Sequence, residues 1–171
     1  LDFNVSLPNV APLAPGVNGP LSATGNLHQT PNGLALMTNA NGPYSTRATL
    51  RGVVTGPDAA VDFTVAMPNM AAVVPKLNGP LSVNGNAAMT PVGWRIETSA
   101  QGPSGTQAQV AGLVGNDGQL NLDISGNAPL GLSGPFIAPG SLQGQARFDL
   151  ALNGPAELGS LSGTIQTSDA T

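Results

Sequence analysis

Cysteine is absent from the 171 residues, which removes disulfides and thiolate metal sites while leaving the compartment undetermined. Charge is scarce. Asp, Glu, Lys and Arg make up 8 % of the chain, against about 25 % in an ordinary soluble domain. With five Lys and Arg and a net charge of −4 there is no basic patch to neutralise phosphates, so nucleic acid is a disfavoured partner. Aromatic residues are 4 % of the chain and there is one histidine. No apolar run approaches the roughly 20 residues of a membrane-spanning helix, and nothing at Leu1 resembles a signal peptide. The chain opens in mid-pattern at Leu1–Leu7, and we expect it to be a piece of a longer protein whose targeting segments lie elsewhere.

Glycine and proline, by contrast, are plentiful, with 23 and 16 residues. That proportion raises disorder as an alternative. The 40 % apolar content and the regular spacing oppose it, since disordered chains are poor in apolar residues and rich in charge.

The spacing is that of a tandem repeat. Residues 1–54 align with 61–114 without a gap, and 25 of the 54 positions are identical. The phrase Asn18-Gly-Pro-Leu-Ser-Ala-Thr-Gly-Asn26 returns as Asn78-Gly-Pro-Leu-Ser-Val-Asn-Gly-Asn86. Periods of this order signal arrays of supersecondary units. Each copy reads as four strands with one dry and one wet side: Leu1–Leu7, Leu21–Leu27, Leu34–Ala40 and Tyr44–Val54, then Val61–Met67, Leu81–Ala87, Trp94–Ala100 and Ser104–Val114. Thr30-Pro-Asn-Gly33 and Thr90-Pro-Val-Gly93 are tight turns, and Asn41-Gly-Pro43 and Gln101-Gly-Pro103 join strands three and four. Asn116-Asp-Gly118 makes a hairpin into Leu120–Ser125. Short links between successive strands favour an antiparallel meander.

One segment per copy, Pro8–Pro15 and Pro68–Pro75, reads as a single helical turn, an apolar lid at one edge of the sheet. Beyond Gly126 the strict spacing breaks, but Leu142–Leu152 is a clear strand and a further one begins at Leu161. Phe136–Pro139 is expected to be a covering loop, and Thr167–Thr171 to fray. The expected fold is all-β: a curved, mainly antiparallel sheet folded into a U-shaped groove, with short helical turns at one edge. It is built from repeats at 1–60 and 61–120 and a divergent partial repeat at 121–171.

Glycine recurs on the apolar face at Gly25, Gly52, Gly85, Gly112, Gly144 and Gly163. Glycine within strands marks bends or close backbone approach. Repeated at matching positions, these residues either crease the sheet into a trough or leave room for Trp94 or Phe148 in a filled core.

Side chains suited to catalysis are few. His28 has Ala88 as its counterpart in the second copy and reads as an exposed turn residue. Asp2, Asp62 and Asp123 read as solvated strand carboxylates. Asn116-Asp-Gly118 lacks the acidic density of a calcium loop. Arg47 and Arg51 stand on the wet face and read as solubility or edge protection. No enzyme activity, metal or cofactor is therefore expected. The functional candidate is the apolar face itself: Phe3, Val5, Leu21, Leu36 and Leu50 from the first copy; Phe63, Val65, Leu81, Val83, Trp94, Ile96 and Val110 from the second; and Leu122, Ile124, Phe148, Leu150, Leu161 and Ile165 from the third. At about 4.8 Å per strand, eleven strands extend roughly 50 Å, room for several acyl chains in series.

Ser125–Pro139, Ser141–Pro155 and Leu158–Gly163 resemble the TamB family in its α-proteobacterial style. So do the repeats, in which an apolar Pro-bearing turn such as Val10–Pro15 precedes a Leu-x-Gly strand. The resemblance covers nearly the whole chain. It implies a very long periplasmic protein anchored in the inner membrane by an N-terminal helix outside this stretch, whose C-terminal region meets an outer-membrane barrel partner, TamA. Such AsmA-like bridge proteins have a taco-shaped hydrophobic groove and are implicated in moving phospholipids to the outer membrane and in assembling outer-membrane proteins. They bring no catalytic residues. Three functions follow as expectations: a lipid-conducting groove, a cradle for strands of outer-membrane proteins, and a structural spacer or adhesin stalk.

Overall fold

The computed structural model describes residues 1–11, 18–132, 143–155 and 157–169. Stretches that alternate apolar and polar residues are strands, and short links make chain neighbours into sheet neighbours. Eleven strands result: β1 (Asp2–Leu7), β2 (Leu21–Thr30), β3 (Gly33–Asn41), β4 (Arg47–Val53), β5 (Ala60–Met67), β6 (Leu81–Thr90), β7 (Gly93–Gln101), β8 (Gln107–Gly115), β9 (Leu120–Pro129), β10 (Gln145–Gly154) and β11 (Leu161–Ser168). They form one open, curved antiparallel sheet in the order of the sequence. Helical structure among the described residues is confined to isolated 3-10 turns.

The turns explain where strands begin and end. The strand expected over Tyr44–Val54 starts at Arg47, because Pro43–Ser45 is a 3-10 turn closed by the Thr46 N–H donating to the Pro43 carbonyl at 3.1 Å. Pro103–Gly105 repeats this, so the strand expected from Ser104 starts at Gln107. In the other direction, β2 and β6 run on to Thr30 and Thr90. The loops Pro31-Asn32 and Pro91-Val92 need only two residues, and each threonine hydroxyl donates to the carbonyl of Gly33 or Gly93, at 2.7 and 2.8 Å. Thr167 and Ser168, expected to fray, are paired with Ala146 and Gln145 at the end of β11.

The edge segment of the second copy contains the expected helical turn, at Met70–Ala72. The Asn69 side-chain carbonyl holds it, accepting from the N–H groups of Ala71 and Gly79, both at 3.1 Å. Asn9 does the same with Ala11 and Gly19. Most of the first-copy turn (residues 12–15), Phe136–Pro139 and Leu142 lie outside the described residues, as do 170 and 171.

The third copy departs from the sixty-residue spacing between β8 and β9, and again between β9 and β10, where Ile124 faces Leu150, 26 residues on, against 22 from Phe63 to Gly85. Gly52 on β4 faces Val61 on β5, nine residues on, whereas Gly112 on β8 faces Leu122 on β9, ten residues on. Counted between facing residues, the β8–β9 hairpin therefore takes one more residue than the β4–β5 hairpin. In β9 and β10 the inward positions fall on even numbers (Leu122, Ile124, Phe148, Leu150) where β5 uses odd ones (Val61, Phe63). The faces of the sheet stay continuous across that step.

Gly52 and Gly112 have φ of +149° and +147° inside their strands, a conformation L side chains rarely adopt. A Cβ there would run into the carbonyl oxygens of Ala60 and Asn121. We expect Gly112→Ala to destabilise the chain by about 2 kcal/mol or more, read as a lower urea midpoint at constant slope. Gly159→Ala, where a Cβ meets no heavy atom within 4 Å, should change stability by less than about 0.5 kcal/mol.

Candidate functional site

Because side chains directly opposite in adjacent strands share a face, the register can be followed across the sheet as continuous rows. Three rows make up the inward face. The first runs Phe3, Gly25, Thr38, Leu50, Phe63, Gly85, Thr98, Val110, Ile124, Leu150, Gly163. Beside it runs Val5, Ala23, Ala40, Ala48, Val65, Val83, Ala100, Ala108, Gly126, Phe148, Ile165. On its other side lie Leu27, Leu36, Gly52, Val61, Ala87, Ile96, Gly112, Leu122, Leu152 and Leu161. Leu21 and Leu81 continue the face toward one rim, and Trp94, between Met89 and Val114, toward the other. The sequence-selected lining residues thus lie on one face. At about 4.8 Å between strands and 3.4 Å per residue, the three rows cover a strip of roughly 14 by 48 Å.

The opposite face is mainly polar, with Met37, Val53 and Leu113 among its apolar exceptions. One of its rows reads Asn4, Thr24, Asn39, Thr49, Thr64, Asn84, Ser99, Gln109, Ser125, Asp149, Thr164. Thr49 and Thr64 share a hydroxyl–hydroxyl hydrogen bond of 2.7 Å. Asp2, Asp62 and Asp123 belong to this face, and Asn26 donates to Asp2 at 2.7 Å. Arg47 and Arg51 belong to it as well, Arg51 directly opposite Asp62. His28 is exposed there, its Nδ1 3.2 Å from the Asn26 side-chain oxygen. Asp117 is engaged within its own turn, accepting from the Gln119 N–H at 3.0 Å. A shallow hollow of about 270 Å³ lined by Gln107, Gln109, Ser125, Asn127 and Arg147 also lies on this side. It is smaller than a usual ligand pocket and lacks apolar walls. Among the described residues no three His, Asp or Glu side chains gather to hold a metal ion. No described helix is long and apolar enough to cross a membrane.

The inward face is only partly shielded from solvent. Its side chains are mostly half-buried; among the described residues the buried apolar side chains are Val10, Ala59, Pro103 and Leu122. The total accessible surface is 10468 Å², whereas a compact chain of 17.0 kDa would expose roughly 7,700 Å². Exposure of the face rises at both ends of the array: Val5 on β1 is 49 % exposed, and Ile165 on β11 is 66 %.

The recurrent glycines divide into two kinds. Gly52, Gly112 and Gly163 have the positive φ of a locally distorted strand, and Gly144 (φ +114°) sits just ahead of β10. Gly25 and Gly85 have no such φ and lie beneath cross-strand phenylalanine rings. A Cβ on Gly25 would be 2.6 Å from Phe3 Cζ, and one on Gly85 2.9 Å from Phe63 Cζ. Gly126, which the sequence reading did not single out, takes Phe148 in the same way, at 2.6 Å. Aromatic cover of a strand glycine stabilises the ladder at its weakest residue. The lone signal for Gly126 is its register opposite Phe148, with the glycine on the earlier strand and the phenylalanine on the later one, the reverse of Phe3–Gly25 and Phe63–Gly85. The Asn9 and Asn69 clasps were also missed, although Pro-Asn is identical in both copies. The Thr38 hydroxyl lies buried on the apolar side without a protein partner, and Thr98 occupies the equivalent place in the same row.

Replacing Phe63 by Ala should cost about 1–3 kcal/mol, in keeping with a half-buried ring. In Gly85→Ala variants the added loss on removing Phe63 should be smaller, because the ring is already displaced. Chemical denaturation of the two single variants and the double variant measures that coupling.

The chain matches no protein-family model, and neither a curated protein nor a solved structure is significantly similar to it.

Proposed function

We propose that the chain is a length of hydrophobic groove that carries phospholipid acyl chains, as part of a periplasmic bridge between inner and outer membranes. The observation that carries this reading is the open apolar face. Rows of Leu, Val, Ile and Phe cross eleven strands without a second layer among the described elements to bury them. Contiguous apolar surface of that extent marks a binding site. A hydrocarbon ligand satisfies it, because the face asks for apolar cover and offers few hydrogen-bonding groups. Where the sheet curls toward this side, the face becomes the floor of a trough. A closed β-helix or filled sandwich, the architecture a spacer would use, is not what the strands form. The resemblance of Ser125–Gly163 to TamB proteins supports the periplasmic setting and the role in outer-membrane biogenesis, with a barrel such as TamA as partner of the full-length protein.

Mass spectrometry of gently purified protein should find phospholipid. Ile96→Asp with Val110→Asp should lower the bound amount several-fold while leaving the far-UV circular dichroism of the sheet intact. Photo-crosslinkers at Val5, Ile96 or Phe148 should then label lipid. Capture of polypeptide at these positions would instead favour a cradle for outer-membrane protein strands, and a lipid-free protein that labels neither would overturn both readings.

A further inference from the structure

We propose that, without lipid, the apolar face seats the same face of a second copy of this chain, two sheets packing face to face in a closed dimer that acyl chains would take apart. The face suits its own copy by what it lacks. Across its three rows every residue is aliphatic, phenylalanine or glycine apart from Thr38 and Thr98, and no position carries a charge. Two copies brought together on it therefore meet no like charges and leave no ionised group in the contact. The polar face could not pair in this way, because Glu97 and Asp123 stand on it and would each have to be stripped of water.

The extent of the face is that of a dimer interface. A strip of roughly 14 by 48 Å on each copy comes to about 1,300 Å² for the pair, at the lower end of the roughly 1,200–2,000 Å² that stable pairs bury. Sheets pack face to face about 10 Å apart, with the inward side chains of both filling the gap. The mostly half-buried side chains of the face each retain surface for a partner to cover. A two-fold axis lying between the sheets presents the same rows from both copies, so the contact closes at two and does not propagate. It uses faces and no strand edge, and so is indifferent to what adjoins β1 or β11. Only the competition with acyl chains rests on the groove reading, since both occupants take the same rows.

Sedimentation velocity of delipidated protein over a concentration series should show a monomer–dimer equilibrium with no larger species. Ile96→Asp with Val110→Asp should weaken the dimer more than about tenfold, because the new carboxylates would be buried in the contact. Asn84→Asp with Gln109→Glu, on the polar face, should leave it unchanged. Photo-crosslinkers at Val65 or Val83 should join two chains, and those at Asn84 or Gln109 should not. Dihexanoylphosphatidylcholine, added below its micelle concentration, should return dimer to monomer. A delipidated chain that stays monomeric, larger oligomers, or crosslinks through Asn84 or Gln109 but not Val65 or Val83 would overturn the proposal. A monomer that binds the lipid overturns it while leaving the groove reading standing. A dimer joined through Val65 and Val83 that the lipid leaves intact upholds the self-contact and counts against the groove.

Discussion

The ladder of main-chain hydrogen bonds is what the structure rests on. A domain of this length usually buries a core many side chains deep, yet among the described residues only a handful of apolar side chains, such as Ala59 and Leu122, are buried. Half-buried side chains crowd one another along rows, but each row exists because ten successive strand pairings hold one register. A slip of one residue in any strand would exchange its dry and wet sides. The two-residue turns at Pro31-Asn32 and Pro91-Val92, the Thr30 and Thr90 hydroxyl bonds, and the 3-10 turns after Gly42 and Gly102 are therefore what keep the apolar rows aligned.

Much of this was legible because alternation and turn chemistry are local properties. Phe3-Asn-Val5 and Trp94-Arg-Ile96 announce their faces without reference to anything distant, and eleven strands in a meander follow from short links. What escaped depended on relations across the sheet. Whether a glycine is a bend or a platform is decided by the residue opposite it, so Gly25 and Gly52 look alike in the chain and differ in the fold. Strand beginnings at Arg47 and Gln107 depended on a left-handed backbone at Tyr44 and Ser104, which neither residue type signals. Asn9 and Asn69 look like ordinary loop residues until Gly19 and Gly79 come within reach of their side chains.

The apolar face and the polar face place different demands on the sequence. On the polar side Asn, Thr, Ser and Gln interchange freely between copies, as at Asn4 and Thr64 or Thr24 and Asn84. Solvent meets their hydrogen-bonding needs in any combination. On the apolar side Phe lies over Gly three times, while other large residues face one another, as Leu27 faces Leu36 and Leu122 faces Leu152.

The additional residue between β8 and β9 bears on how such an array changes length. Inserted within a strand, one residue would turn everything beyond it inside out. Confined to a connection, it leaves the faces where they were and alters only the numbering that follows. The connections are thus the places where the repeat can drift, and a long array of this kind can lose its visible periodicity while its surface remains a single uninterrupted band. Two chains with little recognisable similarity could present the same band to the same ligand.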